Sequence, residues 1–170
     1  AISSDNSVYC FGSNQSGELG VLSSGGQMTS TPQMIPGLKL ESISAGLNHY
    51  CGMIKDAPVN SNKMVCWGDN SFGQTGSKES ITKSPFEVQK SVNFVSAALG
   101  QNTSCAVDQD NKAFCFGSND SNVISKNKDP KVYLAPVQVQ TDKRFFSINL
   151  GLKGACGVSV IDNTAQCWGN

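Results

Sequence analysis

Charge is scarce in this 170-residue chain: 13 Lys and Arg balance 13 Asp and Glu, and together they make up only 15% of the residues. No net charge and no basic stripe means no electrostatic footprint for a phosphate backbone, so nucleic acid is not expected as a partner. Histidine occurs once and no C-x-x-C spacing is present, which argues against a zinc site. No apolar run approaches the roughly 18 residues of a helical membrane span, so no membrane insertion is expected within this segment. No nucleophile, base and orienting group recur as a set; enzyme activity has no residue-level support, and no cofactor is expected. The chain also begins without Met or a signal-peptide pattern and stops inside a recurring phrase, so it reads as an excerpt of a longer protein.

What is plentiful is glycine, 17 residues, together with Ser, Asn and short apolar runs, the composition of an all-β chain with many turns. One phrase organises it: Val65-Cys66-Trp67-Gly68-Asp69-Asn70-Ser71-Phe72-Gly73-Gln74-Thr75-Gly76. It recurs from Tyr9 to Gly20, from Phe114 to Asn119, and from Gln166 to Asn170, with cysteine-to-cysteine periods of 56, 49 and 52 residues. A fixed period of this size marks a repeat architecture. Each phrase reads as a short buried strand running into a structured turn, with glycines for positive φ and an Asn that bonds its own backbone.

The units repeat an order of four short strands. A Pro-containing edge segment comes first (31–37, 84–88, 135–139), then an apolar strand (40–46, 94–100, 145–151). A Cys-containing strand follows (49–54, 103–108, 155–160), and the phrase strand ends the unit (8–13, 64–69, 112–117, 165–169). Four strands per unit is the pattern of a propeller blade. The expected organisation is a single partial propeller domain over 1–170, with repeats at about 8–63, 64–112 and 113–164 and partial repeats at 1–7 and 165–170.

The order X-Pro-X-X-(Val/Ile), an apolar strand ending Ala-Gly, a Cys-containing strand, then Val-X-Cys-Trp-Gly-X-Asn-X-X-Gly-Gln-X-Gly resembles the regulator of chromosome condensation repeat across essentially the whole chain. There is no Trp-Asp signature at a 40 to 45 residue period and no recurring Gly-Gly doublet of the kelch type. The resemblance implies a β-propeller, usually of seven blades, and three units do not close such a ring. Two departures stand out. The third phrase, Asn119 to Ser125, loses its second and third glycines, with Asn122 the candidate to hold positive φ in their place. The cysteine pairing is absent from nuclear members of the family and is similar to that of its secreted bacterial relatives and crinkly-type plant receptor ectodomains.

Cys51 and Cys66, Cys105 and Cys115, and Cys156 and Cys167 occupy matching positions, each pair flanking a hairpin. Opposed residues of an antiparallel pair lie about 4.5 Å apart at Cα, within disulfide reach, so three disulfides and an oxidising compartment are expected. The alternative is buried free thiols acting as small apolar residues. Cys10 lacks an upstream partner; by the register it would lie one residue before Ala1. Asn14, Asn102 and Asn119 satisfy the glycosylation rule, although Asn14 and Asn119 also occupy the recurring turn position. His49 reads as a hydrogen-bonded inner-strand residue, and Trp67, Trp168, Phe11 and Phe116 as core packing.

The expected role is a non-catalytic extracellular, cell-surface or lumenal module that binds a protein partner, with a glycan as another candidate, or that assembles with copies of itself. The alternative is an intracellular exchange-factor-like propeller acting on a small GTPase. The candidate binding loops are those that differ between units: 20–30, 55–62 and 122–133, with Lys55, Asp56, Pro58, Asn60, Asn62, Lys126, Lys128 and Lys131.

Overall fold

A computed structural model of the chain describes residues 1–22, 28–58, 63–127 and 130–170. Among them there is no helix, and therefore none long and apolar enough to cross a membrane. Twelve strands run in chain order: β1 (Ser7–Ser13), β2 (Met28–Ala45), β3 (His49–Ile54), β4 (Met64–Asp69), β5 (Ile81–Glu87), β6 (Phe94–Leu99), β7 (Thr103–Asp108), β8 (Ala113–Ser118), β9 (Val132–Gln138), β10 (Phe145–Leu150), β11 (Gly154–Ser159) and β12 (Ala165–Gly169).

All pairings are antiparallel between neighbours, and they group into four blades. The first has β1 between the Ile2 bridge and the N-terminal half of β2. The second takes the C-terminal half of β2, then β3, β4 and β5. The third is β6 to β9, and the fourth β10 to β12. The first edge segment and apolar strand, 31–37 and 40–46, read separately in the sequence, are one strand, whereas the later pairs stay separate as β5 and β6 and as β9 and β10. β2 serves as outer strand of one blade and inner strand of the next, passing through Gly37 at φ +73°. Pro32, Pro36, Pro85 and Pro136 all fall on outer strands, where a missing N–H leaves no ladder bond broken.

The phrase strand has the same irregularity in each of the first three blades, a register shift at its aromatic residue between Cys and Gly. Pleat alternation turns the cysteine and the aromatic ring, neighbours along the strand, toward opposite adjacent blades. Trp67 of the second blade is fully buried in a cluster with Val8, Cys10, Leu19 and Ile35 of the first. Phe116 of the third packs on Cys51, Cys66, Met53, Met64 and Val88 of the second. Trp168 of the fourth lies on a cluster that includes Cys105, Cys115, Val123 and Val139 of the third. Each core therefore lies between blades: an aromatic from one side, and from the other a cysteine pair or, in the first core, Cys10 alone.

This rule corrects the expectation for Phe11. It occupies the same position as Trp67 but is 57% exposed, because no described residue supplies the cysteine-bearing face it would cover.

Candidate binding surface

The phrase loops are rigid for a reason visible in their side chains. The Asn after the first glycine clamps its loop: Asn14 Oδ1 accepts from Leu19 N, Asn70 Oδ1 from Thr75 N, and Asn119 Oδ1 from both Ile124 N and Ser125 N. Asn70 and Asn119 also donate through Nδ2 to two carbonyls each, Ser77 and Glu79, and Ser125 and Asn127. The first glycine sits at φ near +100°, and at Gly68, Gly117 and Gly169 a Cβ would strike the backbone carbonyl of Asn48, Asn102 or Lys153 in the adjoining hairpin turn. In the third loop Asn122 takes φ 54° in place of glycine, with the same turn bond from its N–H to the Asn119 carbonyl.

The loop turns one carbonyl inward at a fixed position, eight residues after the phrase cysteine: Glu18, Gln74 or Val123. Trp67 Nε1 donates to the Glu18 carbonyl at 3.0 Å and Trp168 Nε1 to that of Val123 at 2.8 Å. Phe116 has no N–H, and at its junction Ser104 Oγ reaches the Gln74 carbonyl at 2.6 Å, with His49 Nε2 2.9 Å from the same hydroxyl. His49 is fully buried, and burial pushes its pKa down to about 4 against a smaller opposing field from Asp69. The reading of His49 as a hydrogen-bonded inner-strand residue holds; that it backs Ser104, whose hydroxyl stands in for a missing indole, was not visible. The signal was there in the coincidence of Phe at 116 with Ser at 104.

Three disulfides join the predicted pairs, Cys51–Cys66, Cys105–Cys115 and Cys156–Cys167, with Cα separations of 4.1, 4.1 and 4.0 Å. They sit at directly opposed register positions of the two middle strands. The first two are fully buried under the next blade, whereas both cysteines of the third are exposed. Cys10 is free and buried under Trp67, and desolvation raises its pKa, which keeps it a neutral thiol. Beside it lies a groove lined by Tyr9, Cys10, Phe11, Ile43, Ala45 and Tyr50, a feature the sequence reading did not contain.

The candidate loops do not converge. Consecutive antiparallel strands put the loop after β3 at one end of the blades and the loops after β1 and β8 at the other. Lys55, Asp56 and Pro58 are exposed on the first face; Lys126 and Lys131 are exposed on the second. Lys55 Nζ is 3.5 Å from Asp56, whose φ of 54° marks the hairpin bend. Asn60, Asn62 and Lys128 lie outside the described residues. The loop face carrying Lys126 also bears the tight turns with Leu47 and Leu152, 61% and 70% exposed. Among the sequons, Asn119 is buried with its Nδ2, the atom that would carry a glycan, already donating twice; Asn14 and Asn102 are half-buried. Among the described residues no three His, Cys, Asp or Glu side chains are grouped to hold a metal ion.

The architecture defines an open segment of an all-β propeller with four-stranded blades. Residues 5–53 and 94–122 match the models of the Regulator of chromosome condensation (RCC1) repeat, the repeat family that this chain resembles. It is 29% identical over 151 residues to the X-linked retinitis pigmentosa GTPase regulator of Canis lupus familiaris, a match spanning 84% of this chain and 14% of that protein. Prp20p from Saccharomyces cerevisiae, solved with an account of its binding to Gsp1p and histones, superposes with a TM-score of 0.77 at 25% identity, covering 96% of this chain and 41% of that one. The CRINKLY WD40 ectodomain of the Arabidopsis thaliana receptor kinase ACR4 gives 0.54 at 29% identity, over 87% of this chain and 44% of that one.

Proposed function

We propose that this chain is part of a non-catalytic propeller module that works outside the reducing cytosol, in the secretory lumen or at the cell surface, and binds a protein partner through its unit-specific loops. The observation that carries this reading is the cross-strand disulfide repeated at the same register in three blades. Bonds of this kind persist in oxidising compartments and add about 3 kcal/mol each in the chain-entropy model for loops of this length. Similarity to a receptor ectodomain supports the same placement. Rigid blades with variable loops at both ends suit recognition, since function in such folds resides in grafted sites. In that compartment Asn14 and Asn102 are the sequons to examine first, because the Asn119 amide is committed to its turn.

The test is thiol counting on protein from its native source, alkylated in denaturant without reductant. The expected result is that Cys51, Cys66, Cys105, Cys115, Cys156 and Cys167 are all protected while Cys10 reacts; three or more free thiols among the six would overturn the proposal.

A second reading, an exchange-factor-like propeller acting on a small GTPase, draws support from the GTPase regulator relative and from Prp20p. It predicts accelerated release of a fluorescent guanine nucleotide from a small GTPase, together with seven free thiols. Protected cysteines with no acceleration favour the first reading.

A further inference from the structure

The junction between the second and third blades contains the chain's one histidine, and its hydrogen bonds fix where the protons are. The Gln74 carbonyl has no proton to give, so the Ser104 hydroxyl, 2.6 Å away, donates to it. That leaves the Ser104 oxygen as acceptor, and His49 Nε2, at 2.9 Å, must carry the donated hydrogen. The imidazole is therefore the neutral Nε2–H form with a bare Nδ1. Nδ1 is buried without a hydrogen-bond partner. Gly46 closes over it so tightly that a methyl group there would strike the ring. A proton arriving at Nδ1 would place a positive charge where no acceptor receives it.

We propose that this junction is an acid-sensitive joint: protonation of His49 at Nδ1 leaves a buried charge with no acceptor in the seam that ties β3 of the second blade to β7 of the third, and these two blades loosen to hydrate it while the tryptophan-bonded junctions on either side hold. At the junction of the third and fourth blades the position equivalent to His49 is Thr103, which does not titrate, and at the first and third junctions an indole N–H supplies the donor directly. The charged groups around the ring are few. On β4, Asp69 follows the Gly68 that pairs with His49, and its field favours the protonated form. Its oxygens are already engaged by Ser71 and by Gln74 Nε2. On β7 the nearest charge is Asp108, four residues from Ser104 or about 13 Å along the strand. On β2 it is Glu41, at the far end from Gly46, and β6 carries none. The loop holding Gln74 also bears Lys78 and Glu79, neither of which bonds the ring.

Desolvation dominates, so His49 titrates at about 4 when folded against 6.5 when unfolded. The unfolded chain therefore takes up its proton first as the pH falls. Stability from this group is complete above pH 6.5 and is lost between 6.5 and 4, with a folding constant about a hundredfold lower at pH 4 than at pH 7. Two carboxylates with lowered pKa act outside this window. Asp5 and Asp162, held below their ordinary range by hydrogen bonds from Lys39 and Lys143, give up their contribution only below the usual value of 3.8.

The experiment is urea unfolding of the 170-residue chain from pH 7.5 to 4.2, wild type against His49→Gln, whose amide still donates to Ser104 but does not titrate. In parallel, NMR follows the Cε1–H of the single imidazole, which reads His49 without ambiguity. The expected result is a ring that stays neutral to below pH 5 in the folded chain, a wild-type folding constant falling about a hundredfold, and a His49→Gln variant falling less than tenfold. Amide protection at Ser104, taken relative to the intrinsic exchange rate at each pH, should fall with acid before that of the amides flanking Trp67. An imidazole that titrates near 6.5 while folded overturns the proposal, as does a His49→Gln variant with the wild-type acid profile. Should that variant not fold, the wild-type ring titration decides alone.

Discussion

At three successive junctions the same loop carbonyl points into the seam between blades, and two chemistries satisfy it. Trp67 and Trp168 reach Glu18 and Val123 with an indole N–H, while Phe116 leaves Gln74 to Ser104 and His49. The difference extends to the neighbouring strand. Tyr50, opposite Trp67, stacks on it at 5.8 Å, whereas Ser104, opposite Phe116, is small enough to send its hydroxyl past the ring. What the fold demands at this place is therefore a buried donor and a filled volume, and tryptophan is one way to provide both. The comparison also shows why the alternative is costlier to assemble: it takes three residues from two blades, and it introduces the one buried titratable ring.

Removing volume should have the largest effect and should not distinguish the junctions. Trp67→Ala and Phe116→Ala each delete a fully buried ring, and each should destabilise the chain by about 3 to 5 kcal/mol in urea unfolding. A Phe116→Ala cost below 1 kcal/mol would mean that the middle seam is held mainly by its polar relay. Next in size is the covalent staple. Replacing Cys51 and Cys66 together by Ala should cost about 3 kcal/mol. Mild reductant should open Cys156–Cys167 first, because it is exposed while the other two disulfides are fully covered. Alkylation and peptide mapping after brief reduction reads that order directly.

Removing only the donor should separate the chemistries. Trp67→Phe keeps most of the ring but orphans the Glu18 carbonyl, and Ser104→Ala orphans both the Gln74 carbonyl and the His49 N–H; each should cost about 1 to 3 kcal/mol. The sharper measurement is the double variant Ser104→Ala with Phe116→Trp. An indole placed as at the other junctions should recover part of the loss, and a strictly additive double variant would show that the two seams are not interchangeable.

Much of this architecture was legible because the repeat made each unit a check on the others. The cysteine pairs, the Asn clamps and the four-strand order follow from spacing, since alternation and hairpin geometry place opposed residues without any long-range contact. The loop irregularity at Asn122 was also readable, as asparagine is the residue besides glycine that tolerates positive φ. What the spacing did not show is which neighbour each face meets. Alternation sends cysteine and ring to opposite sides, but what covers each side is a contact between blades, so Phe11 looked like Trp67 in the sequence and differs from it in burial. The candidate loops were legible as variable segments, but their division between two faces depends on strand direction along the blade. The groove beside Cys10 joins Tyr9 and Phe11 to Ile43 and Tyr50, residues more than thirty positions apart, and no local pattern announces it.

The smallest effect is expected where the comparison has a missing half. Phe11 and Trp67 share one repeat position, yet Trp67 is buried against the first blade while Phe11 faces solvent at 57% exposure. A ring that is exposed in the folded chain loses little when it is removed, so Phe11→Ser should shift stability by less than about 0.5 kcal/mol. The same substitution should still be felt in solution behaviour. Phe11 borders an apolar groove, and an exposed aromatic beside such a groove favours association between molecules. Sedimentation velocity on the parent and on Phe11→Ser, at matched concentration, should show fewer large species for the variant while their urea midpoints coincide. A loss of 2 kcal/mol or more would show that Phe11 is covered within the chain after all, and the rule that each aromatic packs on the preceding blade would then fail at its first position.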